Sequence, residues 1–181
     1  MSTLTVKELS HPAGEVIKIA AGKTLDLKSQ GSVTMPTGSL LQTITANYNS
    51  LIQGTSSSDT EATSALRVAI TPSSAASRFL VTITYQVTVQ GGNTLAVVKA
   101  KRSTDGGSSF SDLTNYQSAS DNEAHRNTTG STLFDTTTQV YLDVPNTTNA
   151  LVYSIFMNTN GQLNFNDNGG GARIIVQEIQ G

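Results

Sequence analysis

The side chains able to do chemistry are few and scattered along the chain. Two histidines, His11 and His125, lie far apart in polar sequence, and neither belongs to a His-x-x-x-His pair of the kind that holds zinc. Both are expected at the surface. Asp59, Glu61, Asp121 and Glu123 place carboxylates in loops, where a pair flanking a glycosidic bond would serve general acid and base catalysis. Nothing in their spacing fixes that separation, and solvated loop acids are far commoner. Asp105-Gly106-Gly107 and Asp167-Asn168-Gly169-Gly170-Gly171 offer the oxygen ligands that calcium takes, but the spacing matches no full EF-hand loop. Turn formation explains both, and the glycine run lacks the Lys-Ser/Thr ending of a phosphate-binding loop. Lys99, Lys101 and Arg102 cluster at a strand end, where they could meet anionic sugars or form a solvated edge that guards against strand addition. No catalytic residue, metal ligand or cofactor is assigned.

Three aromatic residues are better candidates. Phe110, Tyr116 and Phe134 stand in stretches rich in Asn, Asp and Ser, the setting in which rings stack on sugars or anchor an interface. They are the expected receptor contacts, with capping of the domain's own core as the alternative.

Composition narrows the function classes. Of 181 residues only 13% are charged and 6% aromatic, and the net charge is −2. Such a chain has no basic stripe for nucleic acid, so none is expected as a partner. Without cysteine, stability must come from burial and strand pairing. Residues 1 to 10 alternate polar and apolar types, and no apolar run approaches the ~20 residues of a membrane span. A soluble chain with no leader and no membrane insertion is expected.

The elements that must position these side chains are strands. From Arg78 to Val89, Phe79, Val81, Ile83, Tyr85, Val87 and Val89 alternate with Leu80 and a run of Thr and Gln, and Gly91-Gly92 follows as a turn. This predicts the central strand of a sandwich. Leu40–Tyr48, Leu66–Ile70, Thr94–Arg102, Gln139–Val144, Leu151–Met157 and Ala172–Ile179 read as further strands, with Leu163 and Phe165 on another. Leu151–Met157 is apolar on both faces, which places it deep in a sandwich or at a subunit contact. Between Ser108 and Leu133 the pattern weakens. No helical period of useful length occurs, so the class is all-β.

The first residues differ. Ile17-Lys18-Ile19, Leu25-Asp26-Leu27 and Val33-Thr34-Met35 repeat an apolar-polar-apolar triplet every eight residues. Strands so thin cannot bury their apolar face alone and need neighbours. Ile17, Ile19, Leu25, Leu27, Val33 and Met35 are thus expected to line a stalk wrapped by identical chains, with a meander packed on its own domain as the alternative. Residues 1–38 are read as an attachment arm and β-repeat stalk, and residues 39–181 as the head.

The segments Ile70-Thr71-Pro72-Ser73-Ser74-Ala75-Ala76-Ser77-Arg78-Phe79-Leu80-Val81, Tyr141-Leu142-Asp143-Val144-Pro145-Asn146-Thr147-Thr148 and Ile174-Ile175-Val176-Gln177-Glu178-Ile179 carry a resemblance. They resemble fibre or knob proteins of tailed bacteriophages, especially those of marine and cyanobacterial hosts. The resemblance covers roughly the C-terminal two thirds of the chain and rests on strand and turn phrases. It implies a trimeric jelly roll of the tumour necrosis factor type on a slender stalk, with no catalytic residues to carry over. A virion structural protein follows as the expectation, assembled in the host cytoplasm, not an enzyme. In it a homotrimer docks to other virion proteins through the N-terminal arm and meets a host surface glycan or protein. A capsid decoration protein is the alternative, and a glycan-degrading depolymerase the third reading.

Overall fold

The computed structural model describes residues 21–22, 35–113, 124–166 and 169–181. The chain divides into two compact units, Met1–Thr34 and Met35–Gly181. The expected stalk residues Ile17, Ile19, Leu25, Leu27 and Val33 lie outside the described residues, as does Tyr116. Met35 is described and is 41% exposed.

The described strands all fall in the second unit. In chain order they are β1 (Leu40–Tyr48), β2 (Ile52–Gly54), β3 (Thr60–Glu61), β4 (Val68–Ile70), β5 (Arg78–Gln90) and β6 (Thr94–Ser103). There follow β7 (Ser111–Asp112), β8 (Ala124–Asn127), β9 (Leu133–Asp143), β10 (Leu151–Thr159), β11 (Gln162–Phe165) and β12 (Ala172–Ile179). One 3-10 turn, Ser64–Leu66, precedes β4; the Thr63 hydroxyl caps it by accepting from the Ala65 amide at 3.2 Å.

Alternation decides what each strand buries. All six odd-numbered apolar residues of β5, Phe79 to Val89, have no exposed surface. Burying each such side chain stabilises the fold by about 1.5–3 kcal/mol. The β5–β6 turn then needs positive φ at Gly91 (94°) and Asn93 (56°), a conformation open to glycine and tolerated by asparagine. Thus β5 is central, as its pattern predicts. It pairs β9 along one edge and β12 and β11 along the other, all antiparallel.

Several strands share rows. β12 continues the row of β11 beside β5, and β1 and β2 extend along their far edge. Likewise β3 and β4 share one edge of β10, while β7 and β8 share one edge of β6. Numbering the resulting eight rows along the chain, the first sheet runs 1-8-3-6 and the second 2-7-4-5. Each sheet draws alternately on early and late rows. This is the two-sheet, double Greek-key order of a jelly roll, and it confirms the all-β class.

The core lies between the sheets. Ile174 and Val176 of β12 face Leu151, Tyr153, Ile155 and Met157 of β10, and all are buried. β10 is buried on both faces, because Phe156 and Ser154 on its outer side are covered by other side chains of the same chain.

Polar side chains from β9 close one edge of the second sheet. Between the stretches of β6 paired with β8 (Thr94–Val97) and β7 (Lys101–Arg102), the backbone has no strand partner on that side. There Gln139 Nε2 donates to the Val98 carbonyl at 3.1 Å, and the Ala100 amide donates to the Tyr141 hydroxyl at 3.3 Å. Two buried backbone groups are thereby satisfied from the opposite sheet.

Candidate interaction surfaces

The outer faces of the two sheets differ sharply in chemistry. On the second sheet, charge and aromatic rings close the surface. Arg67 makes two hydrogen bonds of 2.7 Å to Glu61, and Ser154 donates to the same carboxylate at 2.6 Å. Lys99 and Lys101 both pair with Asp59, at 2.9 and 2.5 Å, and both reach Asp112 at 3.2 and 3.3 Å. Burial alone would raise the Asp59 carboxyl, but hydrogen bonds from Lys101, Lys99 and Asn158 outweigh it and bring its pKa down to about 2. The expectation of a solvated basic edge is corrected here. β6 is flanked by strands on both sides, and its lysines lie over the sheet because Asp59, beside β3 and beyond β10, and Asp112 of β7 pair with them from either side.

Phe110 belongs to this surface. Its ring centroid is 5.0 Å from that of Phe156, and the Arg67 guanidinium lies 5.2 Å above it. Lys101 in turn lies 5.3 Å from the Phe156 ring. Arginine and lysine held against ring faces gain cation–π attraction as well as pairing.

The first sheet presents the opposite character. Thr84 and Thr138 face each other across β5 and β9, with hydroxyl oxygens 3.0 Å apart. Leu80 stands directly opposite Leu142, and Val140 opposite Thr82, whose other neighbour is Ile175. Val140 and Leu142 are 53% and 42% exposed. Phe134 sits at the far end of the same face, opposite Thr88, and is 55% exposed. Outward positions of these strands carry two charges among the described residues, Arg78 and Arg173, and no carboxylate. Aliphatic residues gather toward the Arg78 end of β5, and hydroxyls and amides toward the middle.

Two depressions accompany these faces. A cavity of about 220 Å³ opens between Gly54, Ser56, Thr60 and Met157. A groove of about 500 Å³ lies on the first sheet, lined by Asn47, Asn49, Thr84, Gly171, Arg173 and their neighbours.

His125 corrects the expectation of a surface histidine. It is 6% exposed; its Nε2 lies 3.0 Å from the Tyr85 hydroxyl and its Nδ1 2.7 Å from Asp135. The polar sequence around it hid this, because β8 turns His125 inward opposite Ala96 and the ring meets partners from the other sheet. Gln139, on β9 of the same sheet as Tyr85, also donates to that hydroxyl, at 2.6 Å, so through His125 the phenol links β9 to the second sheet.

In the Asp105-Gly106-Gly107 turn, the Asp105 carboxylate is taken up by its own loop. Hydrogen bonds from Ser103, Ser109 and Ser108 outweigh its modest desolvation and hold its carboxyl well below the usual range. Among the described residues no group of three acidic, histidine or cysteine side chains is placed to hold a metal ion. No helix of the described residues is long and apolar enough to cross a membrane. No protein-family model matches the chain, and no curated protein sequence matches it significantly.

Proposed function

We propose that this chain is a virion structural protein, a bacteriophage tail fibre or knob, whose head associates as a homotrimer and attaches to the host surface. Its mode of action is multivalent binding: several weak sites on one rigid assembly raise avidity without a catalytic step. The observation that carries the reading is the asymmetry of the two outer faces. The second sheet closes its own surface with ion pairs and packed rings, while the first leaves Leu142, Val140 and Phe134 exposed in one strand. The aliphatic end of this face, around Leu80, Val140 and Leu142, suits contact with further copies and leaves the hydroxyl- and amide-rich middle open. The jelly-roll strand order and the phage-fibre resemblance support the same reading. In it the N-terminal residues dock to other virion proteins.

Sedimentation of the full-length protein tests the association. A trimer at micromolar concentration is expected, and Leu142→Asp together with Val140→Asp should release monomers whose far-ultraviolet circular dichroism is unchanged. A monomeric wild-type protein would remove the trimer. Adsorption of labelled protein to host cells then tests the attachment role, and absence of binding would leave capsid decoration as the better reading.

A further inference from the structure

We propose that the groove on the first sheet binds a carboxylate-bearing sugar of the uronic-acid class. Its floor is built from three residues in register: Asn47 pairs with Arg173 across β1 and β12, and Arg173 pairs with Thr84 across β12 and β5. All three side chains point outward, away from the core. Arg173 Nε donates to Asn47 Oδ1 at 2.7 Å, which anchors one side of the guanidinium. Its two terminal nitrogens have no partner among the described residues.

The charge balance singles this arginine out. Arg67, Lys99, Lys101 and Arg102 are each matched by a carboxylate. Arg78, Arg126 and Arg173 make no ion pair among the described residues, and of these Arg173 lines the groove. An exposed guanidinium anchored at Nε, with both terminal nitrogens without a partner among the described residues, is suited to bidentate contact with a carboxylate.

The remaining lining selects for the rest of the ligand. Asn47, Asn49 and Thr84 are neutral groups that both donate and accept, as ring hydroxyls require, and Ile175 offers an apolar surface to a sugar's C–H face. One cation among neutral amides suits a singly charged ligand better than a phosphate, which attracts clustered cations. The groove's volume of about 500 Å³ falls in the usual range for small-ligand sites. The inference names the ligand class for the attachment function proposed above and rests on that reading for its biological role. The binding itself is measurable without it.

The experiment titrates full-length, ¹⁵N-labelled protein with D-glucuronate, D-glucose and inorganic phosphate at constant ionic strength. Glucuronate is expected to shift the amides of Asn47, Gly171 and Arg173 saturably, with millimolar affinity, and to bind at least about tenfold more tightly than glucose or phosphate. Arg173→Gln should weaken glucuronate about tenfold or more while leaving the rest of the spectrum in place. Arg173→Lys should weaken it severalfold, because it keeps the charge and loses the fork. Thr84→Val, which leaves the arginine intact, provides an independent check and should also weaken binding. Equal binding of glucose or phosphate, unchanged affinity in Arg173→Gln, or no saturable shift up to ~100 mM overturns the inference. Adsorption of the same protein to host cells separates the two ideas. Cell binding without glucuronate binding sinks this site and leaves the attachment reading standing, whereas glucuronate binding without cell adsorption does the reverse.

Discussion

Arg102 Nη1 lies 2.5 and 2.7 Å from the two carboxylate oxygens of Asp143, whose side chain has no exposed surface. Tyr153 donates its hydroxyl to the same carboxylate at 2.7 Å, and burial together with the Asp143 charge pushes the phenol's pKa far above its ordinary value. Removing one member strands a buried charge. Arg102→Met is expected to destabilise the head by about 3–5 kcal/mol, whereas Arg102→Met with Asp143→Leu should recover much of that loss. Urea unfolding of both variants measures the difference, and a single mutant within experimental error of wild type would contradict the account.

Glu178 ties two segments, β1 and the loop between β4 and β5, to the end of β12. Its carboxylate accepts from Gln42 at 2.6 Å, the Ser73 amide at 2.6 Å, the Ser73 hydroxyl at 3.1 Å and the Ser77 hydroxyl at 2.6 Å. Burial alone would raise its pKa, but these hydrogen bonds outweigh burial and hold the carboxyl below its usual range. A group whose folded pKa is depressed contributes stability above its unfolded pKa and loses it as pH falls through the folded value. Glu178→Gln should therefore cost about 1–3 kcal/mol at neutral pH, and the gap to wild type should narrow on acidification. Melting curves across that range decide it; a gap that stays constant would mean that Glu178 acts only by shape.

The same sign applies to Asp59, with a window set by its unperturbed pKa of 3.8 and its folded value of about 2. Stability that depends on the Asp59 charge is complete above the first value and disappears as pH falls through the second. Asp59→Asn should lower stability at neutral pH by about 1 kcal/mol, a modest figure because the pairs with Lys99 and Lys101 are partly open to solvent. Added salt should shrink the difference. A mutant that is equally destabilised in strong salt and in acid would point to lost packing instead.

Gly161, between β10 and β11, has no room for a side chain. An added Cβ would lie 2.5 Å from Thr94 Oγ1, 2.8 Å from Thr94 Cγ2 and 3.3 Å from the Gln90 carbonyl. Thr94 cannot easily rotate away, because it is buried and its hydroxyl donates to Gln90 at 2.9 Å. Gly161→Ala should destabilise by about 1–3 kcal/mol, and adding Thr94→Ala should restore part of it. Strict additivity of the two substitutions would show that they do not meet.

What the sequence made legible was local. The alternation from Arg78 to Val89 marked β5 because one side chain in two faces a core that spans the whole strand. The bounds of β1 and β12 match the predicted Leu40–Tyr48 and Ala172–Ile179 for the same reason. Between Ser108 and Leu133 the pattern failed because β7 and β8 are only two and four residues long. Strands that short repeat the two-residue period once or twice, too little to stand out, and both are held by pairing with β6. The surfaces were hidden more deeply. Pairing of Lys99 with Asp59, of His125 with Tyr85, and of Arg173 with Asn47 each joins residues far apart in sequence. Among the aromatic candidates, Phe110 and Phe134 have the same kind of polar neighbours. Only tertiary contact separates the ring packed on Phe156 from the one left open on β9.

The chain enters β1 beside the point where it leaves β12. The Gly38 amide donates to the Gln180 carbonyl and the Gln180 amide to the Ser39 carbonyl, both at 2.8 Å. From there β1 and β12 run antiparallel to the rung of Tyr48 and Ala172. Tension between Ser39 and Gln180 would peel this ladder open one rung at a time, a mechanically weak arrangement. Tension between Ser39 and the opposite end of the sandwich would instead shear all the rungs together. A sandwich pulled between Ser39 and its far end would thus resist force far better than one pulled between Ser39 and Gln180.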